Sequence, residues 1–137
     1  MALPDICSLP IKERAAPDSV LFLWVPSPLL PEGLRVMDAW GFTYKASFVW
    51  DKVRHNLGHY NSVRHEFLLL GTRCSCLPDN PKLMDSVISI ERTAVHSQKP
   101  EEFRQLIDTL YPNGPRLELF ARKATRHWHA WGNEILR

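Results

Sequence analysis

From Val20 to Val25 the chain reads VLFLWV without a polar residue, opened by Pro17-Asp18-Ser19 and closed by Pro26-Ser27-Pro28. A short unbroken apolar run between turn residues predicts a strand buried on both faces, the kind found in parallel sheets flanked by helices. Beyond the prolines the period changes. Leu30, Leu34, Met37 and the pair Ala39 and Trp40 recur at helical spacing, and Gly41 suits the stop of that helix. Phe42 to Trp50 then contains ASFVW, a second strand. Between Asp51 and His65 the pattern collapses into DKVRHNLGHYNSVRH, polar, rich in His and Arg, and without a period. An aperiodic stretch of more than roughly a dozen residues predicts a functional loop.

Apolar character returns at Glu66 to Leu70, a third strand ending at Gly71, and the turn-rich TRCSCLPDNPK from Thr72 to Lys82 reads as surface connection. Val87 to Ile90 is a short strand. Pro100 suits the first position of a helix whose apolar face is Phe103, Leu106, Ile107 and Leu110, and Pro112-Asn113-Gly114-Pro115 stops it. Arg116 to Ala121, RLELFA, is the last strand, followed by a basic and aromatic tail. Strands alternating with helices of this size predict one α/β domain over residues 1–137 with a largely parallel sheet and helices on both faces. Ligands of such sheets bind beyond the carboxyl ends of the strands, so the segments after Val25, Trp50, Gly71, Ile90 and Phe120 are expected around any site.

Composition adds limits. The length of 137 residues suits a single domain, and a formal net charge of +2 permits nucleic-acid contact without the strong basicity of a dedicated electrostatic binder. No signal-peptide arrangement opens the sequence and no run reaches the ~20 apolar residues of a membrane span, which points to the cytoplasm and away from a membrane. Three cysteines, two of them Cys74 and Cys76, predict reduced thiols rather than a disulfide framework. Cys74-x-Cys76 lacks the three or four spaced ligands of a zinc site, so no metal is expected. Trp24, Trp40 and Trp50 fall on strands or helix ends and are expected in the core.

Taken in order, a series of islands resembles the MT-A family, the seventy-kilodalton adenosine-methyltransferase subunit family, with eukaryotic mRNA and bacterial and phage DNA adenine methyltransferases. They are LFLWV at Leu21 to Val25, AWGF at Ala39 to Phe42, FVW with Lys52 close behind, GHY at Gly58 to Tyr60, and HE at His65-Glu66. The series continues with LLLGTR at Leu68 to Arg73, HSQKPEE at His96 to Glu102, LYP at Leu110 to Pro112, RLELFAR at Arg116 to Arg122, and WGNE at Trp131 to Glu134. The resemblance implies a Rossmann-like methyltransferase fold, S-adenosylmethionine as cofactor, and adenine in DNA or RNA as substrate. Family members carry Asp-Pro-Pro-Trp on a strand some tens of residues ahead of LFLWV. Met1 to Ile6 resembles the short helix just before that strand, so the numbering is expected to begin after the motif, and none of the 137 residues supplies it. The resemblance therefore assigns no catalytic residue to this chain.

The same resemblance assigns Lys99 to the cofactor's carboxylate, Glu118, Leu119 and Phe120 to the wall of the cofactor pocket, Arg122 to the ribose, and Asn133 with Glu134 to the nucleoside. Lys99 also has a physical argument of its own: a cation just ahead of a helix N-terminus opposes the helix dipole, and a nearby anion removes that conflict. His59, Tyr60, Arg64 and His65 are placed beside the substrate entrance or a partner interface. Lys123 and Arg126, interleaved with Trp128 and Trp131, are candidates for phosphate contact with base stacking. Two departures weaken the carry-over: Ala124-Thr125 stands where family members often have His-Asn, and Ser62-Val63-Arg64 replaces a more polar run. The alternatives are a non-catalytic methyltransferase-like subunit holding nucleic acid or an active partner chain, and a gene remnant. A strand missing from the sheet centre would favour a homodimer or a helper chain.

Overall fold

The computed structural model describes residues 2–80, 82–93, 98–120 and 128–131. It forms two compact units: residues 1–77 with 83–103, and residues 78–82 with 104–137.

The first unit begins with two short helices, α1 (Leu3–Cys7) and α2 (Ile11–Arg14), followed by β1 (Ser19–Pro26), a single 3-10 turn and α3 (Leu30–Ala39). Then come β2 (Thr43–Leu57), β3 (Ser62–Arg73) and β4 (Val87–Ser89). The helix predicted after the prolines ends as expected: Gly41 takes a φ of +83°, and the Gly41 and Phe42 amides donate back to Asp38 and Met37.

Strand order is β1-β3-β2-β4, with β3 antiparallel to both β1 and β2 and only β4 parallel to β2. The sheet is therefore mixed, which corrects the expectation of a largely parallel one. The cause lies between Asp51 and His65. This stretch is a hairpin, with β2 continuing to Leu57 and β3 starting at Ser62, and a turn that short can only join antiparallel strands. The functional loop read from the missing period is thus an arm of two paired strands.

Alternation along the strands gives the sheet two faces. One carries Trp24, Leu68, Phe48, Trp50 and Glu66, as the pairings Trp24↔Leu68, Phe48↔Leu68 and Trp50↔Glu66 require. Phe103, fully buried, meets this face, its ring centroid 5.0 Å from Trp24 and 6.5 Å from Trp50. The other face carries Val25, Leu69 and Gly71 and takes α3. A Cβ on Gly33 would lie 2.5 Å from Val25 Cγ2, and one on Gly71 would lie 2.6 Å from Met37 Sδ, so two glycines allow this close helix-to-sheet approach. Trp40 and Trp50 are buried, as expected. Trp24 and most of β1 are only half-buried, because in the described sheet β1 stands at an edge rather than inside it.

The boundary of the second unit falls within α4 (Glu101–Leu110), after Phe103. In this unit β5 (Leu117–Leu119) runs parallel to β6 (His129–Trp131) as a separate two-stranded sheet. Arg104 grips Glu118 through two hydrogen bonds of 2.8 and 3.1 Å.

Candidate functional site

The base of the β2–β3 hairpin holds the most concentrated chemistry of the first unit. Glu66 is 4% exposed, on the tryptophan face of β3. A carboxylate removed this far from water requires charged partners, and it has two. Lys99 Nζ lies 2.6 Å from Oε1 and Lys52 Nζ lies 3.0 Å from Oε2. Each lysine also sits over an indole, Lys99 at 5.3 Å from the Trp24 ring and Lys52 at 4.9 Å from the Trp50 ring. The two rings themselves meet edge to face at 6.0 Å, and the Trp50 indole N–H donates to the Ile90 carbonyl at 2.8 Å.

Two cations around one carboxylate leave a net charge of +1 in a low-dielectric setting, where charge acts more strongly than in water. The anion that relieves Lys99 of the α4 dipole is Glu66, a residue of the chain itself. Lys99 keeps free donor capacity, since an ammonium has three N–H bonds and its side chain is 31% exposed. A cleft of about 220 Å³ opens beside it, lined among others by Trp50, Ile90, Thr93, Gln98 and Pro100. The cleft also has Glu91, Arg92, Glu101 and Glu102 on its lining, so its carboxylates outnumber its cations, and Lys99 offers one partly exposed donor beside an aromatic wall.

Lys52 and Glu66 escaped sequence reasoning as site residues, although both lie in the islands that carried the resemblance. The signal that pairs them is register: Trp50 faces Glu66 across the hairpin, which brings Lys52 beside it.

At the root of the arm, Asp51 gathers donors. Its carboxylate accepts the Val53 amide at 2.9 Å, the Ser89 hydroxyl at 2.8 Å and the Arg64 guanidinium at 3.1–3.2 Å. The Val53 and Ser89 hydrogen bonds, with the Arg64 charge, hold its pKa below the ordinary value against a weaker opposing effect of burial. Val53 has a φ of +69°, a rare conformation for a β-branched residue, inside a bulge where three extra residues of β2 leave the ladder between Asp51 and Asn56.

Beyond this bulge the sequence-predicted contact residues lie along one arm. His59 and Tyr60 form its tip, between Gly58 and Asn61, whose amide and carbonyl bond at 3.0 Å. Arg64 and His65 lie at its base, with His65 edge-on to Phe67 at 5.3 Å. An open cleft of about 350 Å³ lies beside them on the α3 face, floored by Val49, Phe67 and Val87.

In the second unit Glu118 and Leu119 lie on β5, and Phe120 follows at a φ of +58° with its ring 5.4 Å from Trp131. Glu118 is held by Arg104, a partner that the sequence did not suggest. Trp128 lies between Arg104 and Arg116, at 5.3 and 5.6 Å, and donates to Asp108 at 3.1 Å. Among the described residues its cations come from α4 and the following turn. Arg122, Lys123, Arg126, Asn133 and Glu134 lie outside the described residues. Lys99 and the Glu118–Phe120 wall belong to different units.

The sequence matches the MT-A70 family over residues 1–134. The chain belongs to the MT-A70 family. Among its relatives is the "Type II methyltransferase M.MunI" of Mycoplasma sp, 32% identical over 98% of this chain and 58% of its own length. The human "N(6)-adenine-specific methyltransferase METTL4" is 29% identical over 97% of this chain and 32% of its own. The human "N(6)-adenosine-methyltransferase catalytic subunit METTL3" is 27% identical over 86% and 22%. This MT-A70 chain therefore spans little more than half of M.MunI and smaller parts of the other two. Among the described residues no helix is long and apolar enough to cross a membrane.

Proposed function

We propose that this chain is the downstream part of an S-adenosylmethionine-dependent methyltransferase domain acting on the exocyclic amino group of adenine in DNA or RNA. The observation that carries the reading is the Lys52–Glu66–Lys99 cluster, a built cationic site between two tryptophans, in a chain whose relatives are named adenine and adenosine methyltransferases. The match to one family along almost the whole chain also supports reading the two units as parts of one Rossmann-like domain.

In this reading Lys99 binds the carboxylate of the cofactor with the N–H bonds left over from Glu66. Glu66 is a positioning residue: its buried carboxylate fixes where the Lys99 ammonium can stand, and Lys52 offsets the second carboxylate oxygen. Trp24 and Trp50 exclude water from the lysines. The cofactor, when bound, supplies an electrophilic methyl group. Glu118, Leu119, Phe120, Arg122, Asn133 and Glu134 are proposed for its nucleoside side. No Asp/Asn-Pro-Pro-aromatic sequence occurs in these 137 residues, so the acceptors that would orient the adenine amino group are not among them. His59, Tyr60, Arg64, His65, Lys123 and Arg126 are the proposed nucleic-acid contacts.

Calorimetric titration with S-adenosylmethionine tests the cofactor site. Lys99→Ala is expected to weaken binding by about tenfold or more, the scale of one charge-assisted hydrogen bond. No heat at millimolar cofactor with the wild-type chain would overturn the reading. That result would favour a methyltransferase-like subunit that supports nucleic acid or a partner without catalysis.

A further inference from the structure

The arm outside Asp51 has features that a structural hairpin does not need. Every residue from Val53 to Ser62 is exposed, and the two large apolar side chains near the tip, Leu57 and Tyr60, are fully so at 100% and 102%. Between Asp51 and Glu66 there is no acidic residue, while Lys52, Arg54 and Arg64 are cationic and His55, His59 and His65 can become so. Arg54 pairs with Glu91 in the open, at 68% and 53% exposure, whereas Arg64, 51% exposed, is held at both oxygens of Asp51 and keeps further N–H donors facing outward. The Arg54 pair is weak and can be exchanged for phosphate, while Arg64 can meet phosphate with its remaining donors without leaving Asp51. At Gly58 an added Cβ would lie 2.6 Å from the Asn61 carbonyl, so the sequence keeps the tip tight enough to present Leu57 and Tyr60 at a narrow apex.

We propose that the arm is a wedge for duplex DNA: the two strands enter the major groove, Arg54 and Arg64 engage phosphates, and Leu57 and Tyr60 insert beside an extruded base. This deepens the adenine-methylation reading and rests on it for the purpose of extrusion, because an amino group inside a stacked duplex must leave the stack before its nitrogen can be approached. An apolar and an aromatic side chain replace part of the stacking that the departing base gives up. Duplex DNA is the occupant the geometry favours. A B-form major groove of about 12 Å admits a two-stranded ribbon, whereas the A-form major groove of duplex RNA is too narrow for side chains to read. An arm without acidic residues suits a uniform polyanion better than a protein surface of mixed charge.

The test is equilibrium binding of the full chain to fluorescein-labelled 30-base-pair duplexes of mixed sequence, fully paired or with one central A·C mismatch, by anisotropy across a salt series. The wild type is expected to bind the mismatched duplex about threefold more tightly, because unstacking is already paid there. Leu57→Ala with Tyr60→Ala should abolish this preference, and Tyr60→Trp should keep it. Arg54→Ala should lower the slope of log affinity against log salt by about one, leaving the preference intact. Far-UV circular dichroism checks the fold of each variant. No binding of duplex DNA by the wild type, equal binding of duplex RNA, or a mismatch preference that survives in the double variant overturns the proposal. So does loss of self-association in the double variant, seen by light scattering, without any change in DNA binding, which would make the arm a protein contact. None of these readouts needs cofactor, so the wedge can fail while the cofactor titration succeeds, and the reverse.

Discussion

The same two strands do opposite things on either side of Asp51. On the sheet side, β2 and β3 are covered: Trp50 faces Glu66, both almost inaccessible, with two lysines and Phe103 packed around them. On the other side the strands continue as an arm exposed on both faces. A strand pair without a covered face gains little from burial and is marginal unless something holds its root. Here the root is Asp51, which binds the bulge through Val53, β4 through Ser89 and β3 through Arg64. The chain after β4 adds a further tie, the Ile90 amide donating to the Asp51 carbonyl at 2.9 Å. The covered half can hold a charge in a fixed place, and the uncovered half can reach a large ligand without disturbing it.

The largest expected effect that separates the halves is truncation of Glu66. Glu66→Ala leaves two ammonium groups facing each other without their shared counter-ion, and breaking a buried pair in this way costs about 3 kcal/mol. Urea denaturation should show that loss, and Lys52→Ala should cost far less because Lys99 still satisfies the carboxylate. A loss under about 1 kcal/mol for Glu66→Ala would mean that water reaches the cluster, and the contrast with the arm would shrink. Next in size is Gly33→Ala. The added methyl meets the stiff Val25 side chain at 2.5 Å, an overpacking cost of roughly 2 kcal/mol, offset by about 1 kcal/mol of helix propensity. A net loss near 1 kcal/mol, measured by thermal melting, is expected from the covered half alone, with the Tyr60 environment unchanged by fluorescence.

How much of this was readable beforehand follows from the same contrast. α3 and α4 are recognisable because each buries one face, which imprints a period, and β1, β4 and β5 because each is a short, mostly apolar run between turn residues. The arm does not: with both faces in water nothing selects alternation, so DKVRHNLGHYNSVRH reads as a loop although it is paired. Its turn, His59-Tyr60, also lacks the Asn-Gly or Asp-Gly signature of a two-residue hairpin. The mixed sheet is hidden for the same reason, since alternation with helices predicts parallel order and no helix separates β2 from β3. In the site, Lys99 stood out by its awkward place ahead of a helix. Lys52 and Glu66 acquire their meaning from register, which composition does not encode. Arg104 is visible as the partner of Glu118 only where the part of α4 after Phe103 and β5 share one unit.

The smallest effects belong to the arm and its root. Leu57→Ala should leave stability within about 0.5 kcal/mol of wild type, since a fully exposed side chain loses no packing. Acid should act at Asp51 and nowhere near neutrality. Its carboxyl is held below its ordinary value by the Val53 and Ser89 hydrogen bonds and the Arg64 charge. A depressed folded pKa means that the unfolded state takes up the proton first, so this contribution is fully present above the ordinary value of about 3.9 and is lost as pH falls below it, through the folded value. Amide exchange of Val53 and its arm neighbours, followed by NMR corrected for intrinsic rates, should therefore show constant protection from pH 8 to 5 and a decline only below about pH 4. Asp51→Asn should remove that acid step while Glu66 and its lysines keep the tryptophan face intact. An arm that loosened well above that range instead would place its control somewhere other than its root.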